Sequence, residues 1–362
     1  MTHSYTNNHK TVLGIGGALN HDASVSIVKG NEILFAGHSE RYSKVKNDAW
    51  INHELIGAAI EGGKPDVIVL HEKAWLKKLR NVYGRNWSAL REPTQKQWIK
   101  KFYPELKDIP IKQYLHHETH AAAGVLSSDF DECAVMVIDA IGEFDTASIW
   151  QWKEGKLKKL HSVKFPSSLG LFYSAVTHHV GLKPMEDEYI LMGMAAYGKS
   201  ENWKPVSKKM GKRFFHHKHP WISHRQSILT KENLQRGLPK GSFVGVDDFD
   251  MAAAAQDQVE QRVSAYAEYA KEITGSSNLV YMGGVALNCV ANSMLTDIFK
   301  NIFIMPNPGD CGSALGAAAL ELYNTSGDRV KWETPYLGYN IEGKYPVKKA
   351  LKSLKEGELF GI

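Results

Sequence analysis

A histidine cluster carries the strongest chemical signal in the chain: Leu115-His116-His117-Glu118-Thr119-His120-Ala121. It follows an apolar, strand-like stretch (109–115) and opens an alanine-rich helix. His116 and His120 are four residues apart, so on a helix their rings share one face. That spacing suits two imidazole ligands of a divalent metal. It is not the zinc-protease HExxH pattern, because Ala121 stands where a histidine would have to follow His117-Glu118. A histidine-rich helix start with no metal is the plainer reading. In Val137-Ile138-Asp139-Ala140-Ile141-Gly142-Glu143 an acid ends a buried-type strand and a glycine turn follows. Asp139 then sits at the mouth of a sheet, or serves as a turn residue that satisfies backbone amides. Asp310, in Pro306-Asn307-Pro308-Gly309-Asp310-Cys311-Gly312-Ser313, either caps a helix or completes a metal site with His116, His120 and Asp139.

Two further segments have weaker signals. Gly283-Gly284 separates a strand from a helix in Tyr281-Met282-Gly283-Gly284-Val285-Ala286-Leu287-Asn288. Such a break lets an anionic ligand approach the backbone at a helix start, or is a tight turn and nothing more. Asn20-His21-Asp22-Ala23 and Glu40-Arg41-Tyr42-Ser43-Lys44-Val45-Lys46-Asn47-Asp48 bring in His21 and Lys46. Lys46 could hold an anionic group as a point charge. A solvated turn and a solvated charge run are the alternatives.

These residues need a scaffold, and the pattern of elements is repetitive. Short strands are expected over 11–19, 23–28 and 32–37, the last two joined at Gly30-Asn31. A second trio is expected over 133–140, 146–152 and 156–164, joined at Glu154-Gly155, with a helix over 169–181. Further on come a long helix (251–274), a strand (278–282), a helix (286–298), a strand (301–305) and a helix (313–322). A three-strand trio that occurs twice, roughly 120 residues apart, predicts a duplicated α/β architecture of two lobes with a cleft between. The lobes are expected at 1–115 and 116–335, with a basic insert at 199–240 and a separate segment at 336–362.

With 362 residues, 43% hydrophobic and 23% charged, the chain is ordinary globular material rather than a disordered one. It has no apolar run long enough for a membrane helix and no signal-peptide core, so no membrane partner is expected. Its three cysteines form no CxxC pair, which fits a reducing compartment and a cytoplasmic setting. The net charge of +5 is uneven: the insert has eleven Lys and Arg against two acids, so it carries +9 and the rest −4. Trp203, Phe214, Phe215 and Trp221 interleave with these bases. Nucleic-acid binding by phosphate contact and base stacking is one reading of the insert, and a solvated surface is the other.

Taken in order, the segments resemble the O-carbamoyltransferases of the nodulation-protein and antibiotic-biosynthesis type. Residues 20–23, 40–48, 116–121, 138–143, 168–173, 192–198, 283–288 and 308–312 match eight family motifs (NHDA, ER-x-[ST]-R-x-K-x-D, HH-x-x-HA, VDG-x-GE, SLG-x-x-Y, MG-x-A-x-YG, GGVALN and PGD-x-G). The resemblance implies an actin-like, sugar-kinase-like ATPase duplication. It also implies a metal, usually iron, on His116, His120, Asp139 and Asp310. Gly283, Gly284 and Asn288 match the family's adenosine-binding turn, and Gly142, Gly170 and Gly193 would line the same cleft.

The implied reaction has two steps: a YrdC-like domain makes carbamoyl-adenylate from ATP and carbamoyl phosphate, and the part read here passes the carbamoyl group to a hydroxyl. The acceptor would be a small molecule or a nucleotide. His21 would act near it as base or hydrogen-bond donor, and Lys46 would neutralise the phosphate. The YrdC-like domain, expected to begin near 358–362 after a short amphipathic helix (347–354), would act in cis or in trans. A threonylcarbamoyl-type tRNA modifier and a nucleotide-binding partner subunit without turnover are the competing readings. Three departures from the family pattern stand out: Ala140 for glycine, Ile190 for lysine and Lys44 for arginine.

Overall fold

The computed structural model describes residues 10–338 apart from 20, 62, 216–233, 235–236 and 239–240. Asn20, most of the insert, Trp221 and the expected helix and strand after 338 lie outside the described residues.

The first half runs β1 (Thr11–Gly16), β2 (Ser24–Lys29), β3 (Glu32–His38), α1 (Glu40–Ser43), α2 (His53–Ile60), β4 (Val67–Leu70), α3 (Ala74–Tyr83), α4 (Gln95–Phe102), β5 (Ile111–Gln113) and α5 (His116–Ser127). The second runs β6 (Cys133–Ile138), β7 (Asp145–Lys153), β8 (Lys156–Lys164), α6 (Leu169–His179), α7 (Glu188–Met194), α8 (Ser200–Phe214), α9 (Asp248–Thr274), β9 (Asn278–Met282), α10 (Cys289–Ser293), β10 (Asn301–Phe303) and α11 (Asp310–Ser326).

The duplication is explicit in the sheets. One has the order β3-β2-β1-β4-β5 and the other β8-β7-β6-β9-β10. In each, three antiparallel strands meander and two parallel strands follow on the far side. The hairpin turns use backbone that only certain residues adopt readily: Gly30 has φ +56°, and Glu154 and Gly155 have +51° and +68°. β1, β4, β6 and β9 are buried almost throughout, as strands covered on both faces must be.

The helices that end the two copies change places. α5, which follows the first sheet, packs on β6, β7 and β9 of the second, whereas α11, which follows the second sheet, packs on β1, β2 and β4 of the first. The two helices also pack tightly on each other, and small residues permit the approach. A Cβ at Gly316 would overlap the Thr119 carbonyl. The strands of the first sheet all precede residue 115 and those of the second all follow it, whereas α11 covers the first sheet although it comes late in the sequence.

Two expectations about elements change. Residues 286–298 form 3-10 turns around the five-residue α10 rather than one helix. In the insert, Phe214 and Phe215 are buried, with rings 5.6 and 5.0 Å from Phe172, because α8 lays its apolar face on α9. They are core residues and are not available to stack on bases. No helix among the described residues is long and apolar enough to cross a membrane.

Candidate active site and metal centre

α5 begins directly after β5, and its first turn is held from outside by Glu143. That buried carboxylate accepts hydrogen bonds from the backbone N–H of His116 (3.1 Å) and of Lys73 (2.9 Å). His116 and His120 are both buried and turn Nε2 to the same point, 3.1 Å apart. Asp139 leaves the end of β6 beside them. Its Oδ1 accepts from the N–H of Ala140 (2.8 Å) and Gly284 (3.3 Å), while Oδ2 lies 2.9 Å from His116 Nε2 and 3.4 Å from His120 Nε2. Asp310 is the first residue of α11, and the cap position before it is taken by Gly309. Its Oδ1 instead lies 3.3 Å from His116 Nε2 and 3.2 Å from His120 Nε2. The cap reading of Asp310 is thus replaced by a carboxylate aimed at the histidine pair.

The four residues share strong electrostatics. Burial alone would lower both imidazoles, but the Asp310 and Asp139 carboxylates outweigh it and raise them, His116 well above its ordinary value. Burial would raise both carboxyls, and the two imidazoles hold them far below the carboxylate range.

The donor set fits a metal. A ring nitrogen has one proton or one lone pair, yet each Nε2 faces three polar atoms. Hydrogen bonding cannot serve all of them, whereas a cation can take a lone pair from each. An ion with bonds of about 2.0–2.2 Å sets neighbouring ligands about 2.8–3.1 Å apart at right angles and about 3.3–3.6 Å apart at tetrahedral angles, and the five separations above run from 2.9 to 3.4 Å. His117 does not take part: its Nδ1 pairs with Ser148 Oγ at 2.8 Å, and burial next to His116 pushes it down to about 3.

A cleft of about 470 Å³ opens from this centre. Its walls include His21, Lys46, Asp139, Gly170, Gly284, Asn288 and Asp310, so most of the expected site residues meet there. Five do not line it: His116 and His120 are buried beside Asp139 and Asp310, which do, and three glycines lie elsewhere. Gly142 sits behind the histidine rings and its carbonyl accepts from Arg80; Gly193 is exposed on α7; Gly283 is the tight turn itself, with φ +93° and Ile138 O directly against it. Asn288 both faces the cleft and caps α10 through the Ala291 N–H (3.0 Å), braced by Gln256.

His21 places Nδ1–H 2.9 Å from Asp22 Oδ2 and Nε2 3.7 Å from Asp310 Oδ2. Burial would lower this imidazole, but those carboxylates raise it to about 9. Its Nδ1 is committed to Asp22, which leaves Nε2 facing Asp310 and the cleft. Lys46 is exposed, with Nζ 3.5 Å from Glu40 Oε2. Lys44 donates to the Arg41 carbonyl (2.7 Å) and does not line the cleft, whereas Arg41 does. Ala140 has no positive φ, which is why it can replace glycine. Ile190 does not face the cleft, whose nearby wall has the acids Glu186 and Glu188 instead.

Sequence reasoning missed His71 and His38. His71 follows β4 and is buried with its ring 5.1 Å from His116, and burial pushes it down to about 4. His38 ends β3 and lines the cleft. Each is a lone histidine at a strand end, a signal too weak to separate from packing.

Comparison with known proteins gives the family and the fold. A family profile described as "Carbamoyltransferase N-terminus" matches residues 68–319. An uncharacterised protein of Synechocystis sp. is 32% identical over 85% of this chain and 56% of its own length. A 3'-hydroxymethylcephem-O-carbamoyltransferase of Amycolatopsis lactamdurans is 25% identical over 94% of this chain and 66% of its own. The chain thus spans little more than half the length of the first of these relatives. Among solved structures, the HypF of T. kodakarensis covers 89% of the chain and is itself covered to 48%, with a TM-score of 0.51 and 14% identity. It shares the fold, the actin-like ATPase duplication. Because the profile matches well over half of its residues, the chain belongs to the carbamoyltransferase family and corresponds to its N-terminal part.

Proposed function

We propose that the chain transfers a carbamoyl group from carbamoyl-adenylate to an acceptor hydroxyl, with a divalent metal, iron being the resemblance's choice, at His116, His120, Asp139 and Asp310. The observation that carries this is the convergence of those four donors at one end of a cleft large enough for a nucleotide-sized ligand. When bound, such a cation supplies Lewis-acid stabilisation of negative charge on an oxygen.

The chain's own residues do the rest. His21, braced by Asp22, presents Nε2 at the cleft wall and acts on the acceptor oxygen there as hydrogen-bond donor or as base. Lys46 is free enough to leave Glu40 and neutralise a phosphate. The Gly284 and Gly170 backbones form the opposite wall, where the nucleotide would lie. In this reading a YrdC-like domain, in cis or in trans, makes the adenylate, the acceptor is a small molecule or a nucleotide, and the setting is cytoplasmic.

The test supplies carbamoyl-adenylate to the purified chain with a pool of small hydroxyl compounds and follows the products by mass spectrometry. A carbamoylated alcohol with release of AMP supports the reading. Nucleotide binding with no transfer under any metal would reduce the chain to a binding subunit, and transfer only of a threonylcarbamoyl group to tRNA, when threonylcarbamoyl-adenylate is supplied instead, would move it to the tRNA-modifying class.

A further inference from the structure

The same cleft has a second convergence of donor atoms, where α11 meets the first sheet. His38 Nε2 lies 3.0 Å from Cys311 Sγ and 3.5 Å from Asp22 Oδ1. All three atoms fall within 4.8 Å of one another. None belongs to the four-donor centre. They come from the β1–β2 loop, the end of β3 and the first turn of α11, and the Cys311 contact joins residues 273 positions apart.

Here too one ring nitrogen faces two partners. Nε2 can accept from the thiol or donate to the carboxylate, but one atom cannot do both. A cation resolves the conflict by taking one lone pair from sulfur, nitrogen and oxygen alike. The separations lie within about half an ångström of the edges that a tetrahedral ion with thiolate and imidazole ligands imposes.

The surroundings also fit. His38 Nδ1 faces Glu40 Oε1 at 3.6 Å, the carboxylate-behind-imidazole arrangement that fixes a ligating ring. The second oxygen of Asp22 is held by His21 at 2.9 Å. Both outer partners are therefore in place, and all three donor residues line the cleft, which leaves a side open for a further ligand.

We propose that Asp22, His38 and Cys311 form a second metal site, selective for a thiolate-binding divalent ion of the zinc type and open to the cleft on its remaining side. Sulfur and imidazole disfavour magnesium and calcium, which take oxygen ligands. On binding, the Cys311 thiol gives its proton to solvent and becomes thiolate. The proposal concerns metal content and does not depend on the carbamoyl-transfer reading.

Cobalt(II) is the probe. The full chain, stripped by chelator, is titrated with Co²⁺ while absorption is recorded. The expected result is two equivalents bound and a thiolate-to-cobalt charge-transfer band in the near ultraviolet. Cys311→Ser removes the band and one equivalent, and His38→Gln, a second variant in case the first does not fold, also loses one equivalent. The double variant His116→Ala, His120→Ala loses the other equivalent and keeps the band. One equivalent with no thiolate band in the unaltered chain overturns the proposal. So does a band that survives Cys311→Ser, which would point to Cys289 on the surface.

Discussion

Removing one member of the four-donor centre and removing Lys46 are expected to fail differently. His116→Ala or His120→Ala takes away a ligand and leaves buried carboxylates facing each other, so metal retention and transfer should be lost together. Metal analysis of the purified variants checks this, and a variant that keeps both would refute the centre. Lys46→Ala leaves the centre intact and should lower kcat/KM by about tenfold, the size of one charge-assisted contact, with unchanged metal content. Glu72 offers a pH test of stability. Burial would raise its carboxyl, but the Lys77 ammonium 2.7 Å away outweighs this and holds it at about 2. Its folded value lies below its unfolded one, so it adds stability above the ordinary value of 4.5 and loses it as pH falls from there towards 2. Glu72→Gln should flatten the dependence of the urea-unfolding free energy on pH across that window, and an unchanged slope would show that the pair contributes nothing. The donors of the first centre could be read from the sequence because each sits at the end of a strand or the start of a helix, inside a compact motif. His38 could not, because it is a lone histidine outside every one of the matched motifs.

The hairpins and α9 were readable because their signals are local. The turn at Glu154-Gly155 marks the β7–β8 hairpin, and the alanine-rich stretch expected as a helix over 251–274 forms α9, which begins three residues earlier. Residues 286–298 misled because their apolar pattern is helical while Asn288 caps a new helix at Ala291 and Asn292 Nδ2 donates to the Ala286 carbonyl, so side chains take the backbone groups a continuous helix would need. The α5–α11 contact is the element pair whose failure should be most costly. Gly316→Val forces a side chain against the Thr119 carbonyl, and the strain should cost about 3 kcal/mol or more. The Tm should fall by several degrees, and the metal centre, whose ligands start both helices, should weaken with it. A variant with native Tm would show that the helices can part without loss.

Because α5 covers the second sheet and α11 the first, the halves should not unfold independently. Calorimetry of the chain should give one transition, not two, and two well-separated peaks would contradict the exchange. The basic face of α8 lies away from the cleft. Replacing Lys204, Lys208, Lys209 and Lys212 by Gln should weaken binding to single-stranded nucleic acid and flatten its salt dependence, while transfer to a small hydroxyl stays within about twofold. Salt-insensitive binding, or binding unchanged in that variant, would assign the charge to solvation alone. The exchange of helices also bears on how such a chain can change over generations. Neither repeat is a portable module, since each wears a cover encoded by the other. A recombination joint anywhere between the starts of α5 and α11 would leave both sheets bare, so the two repeats are inherited, and must vary, as a pair.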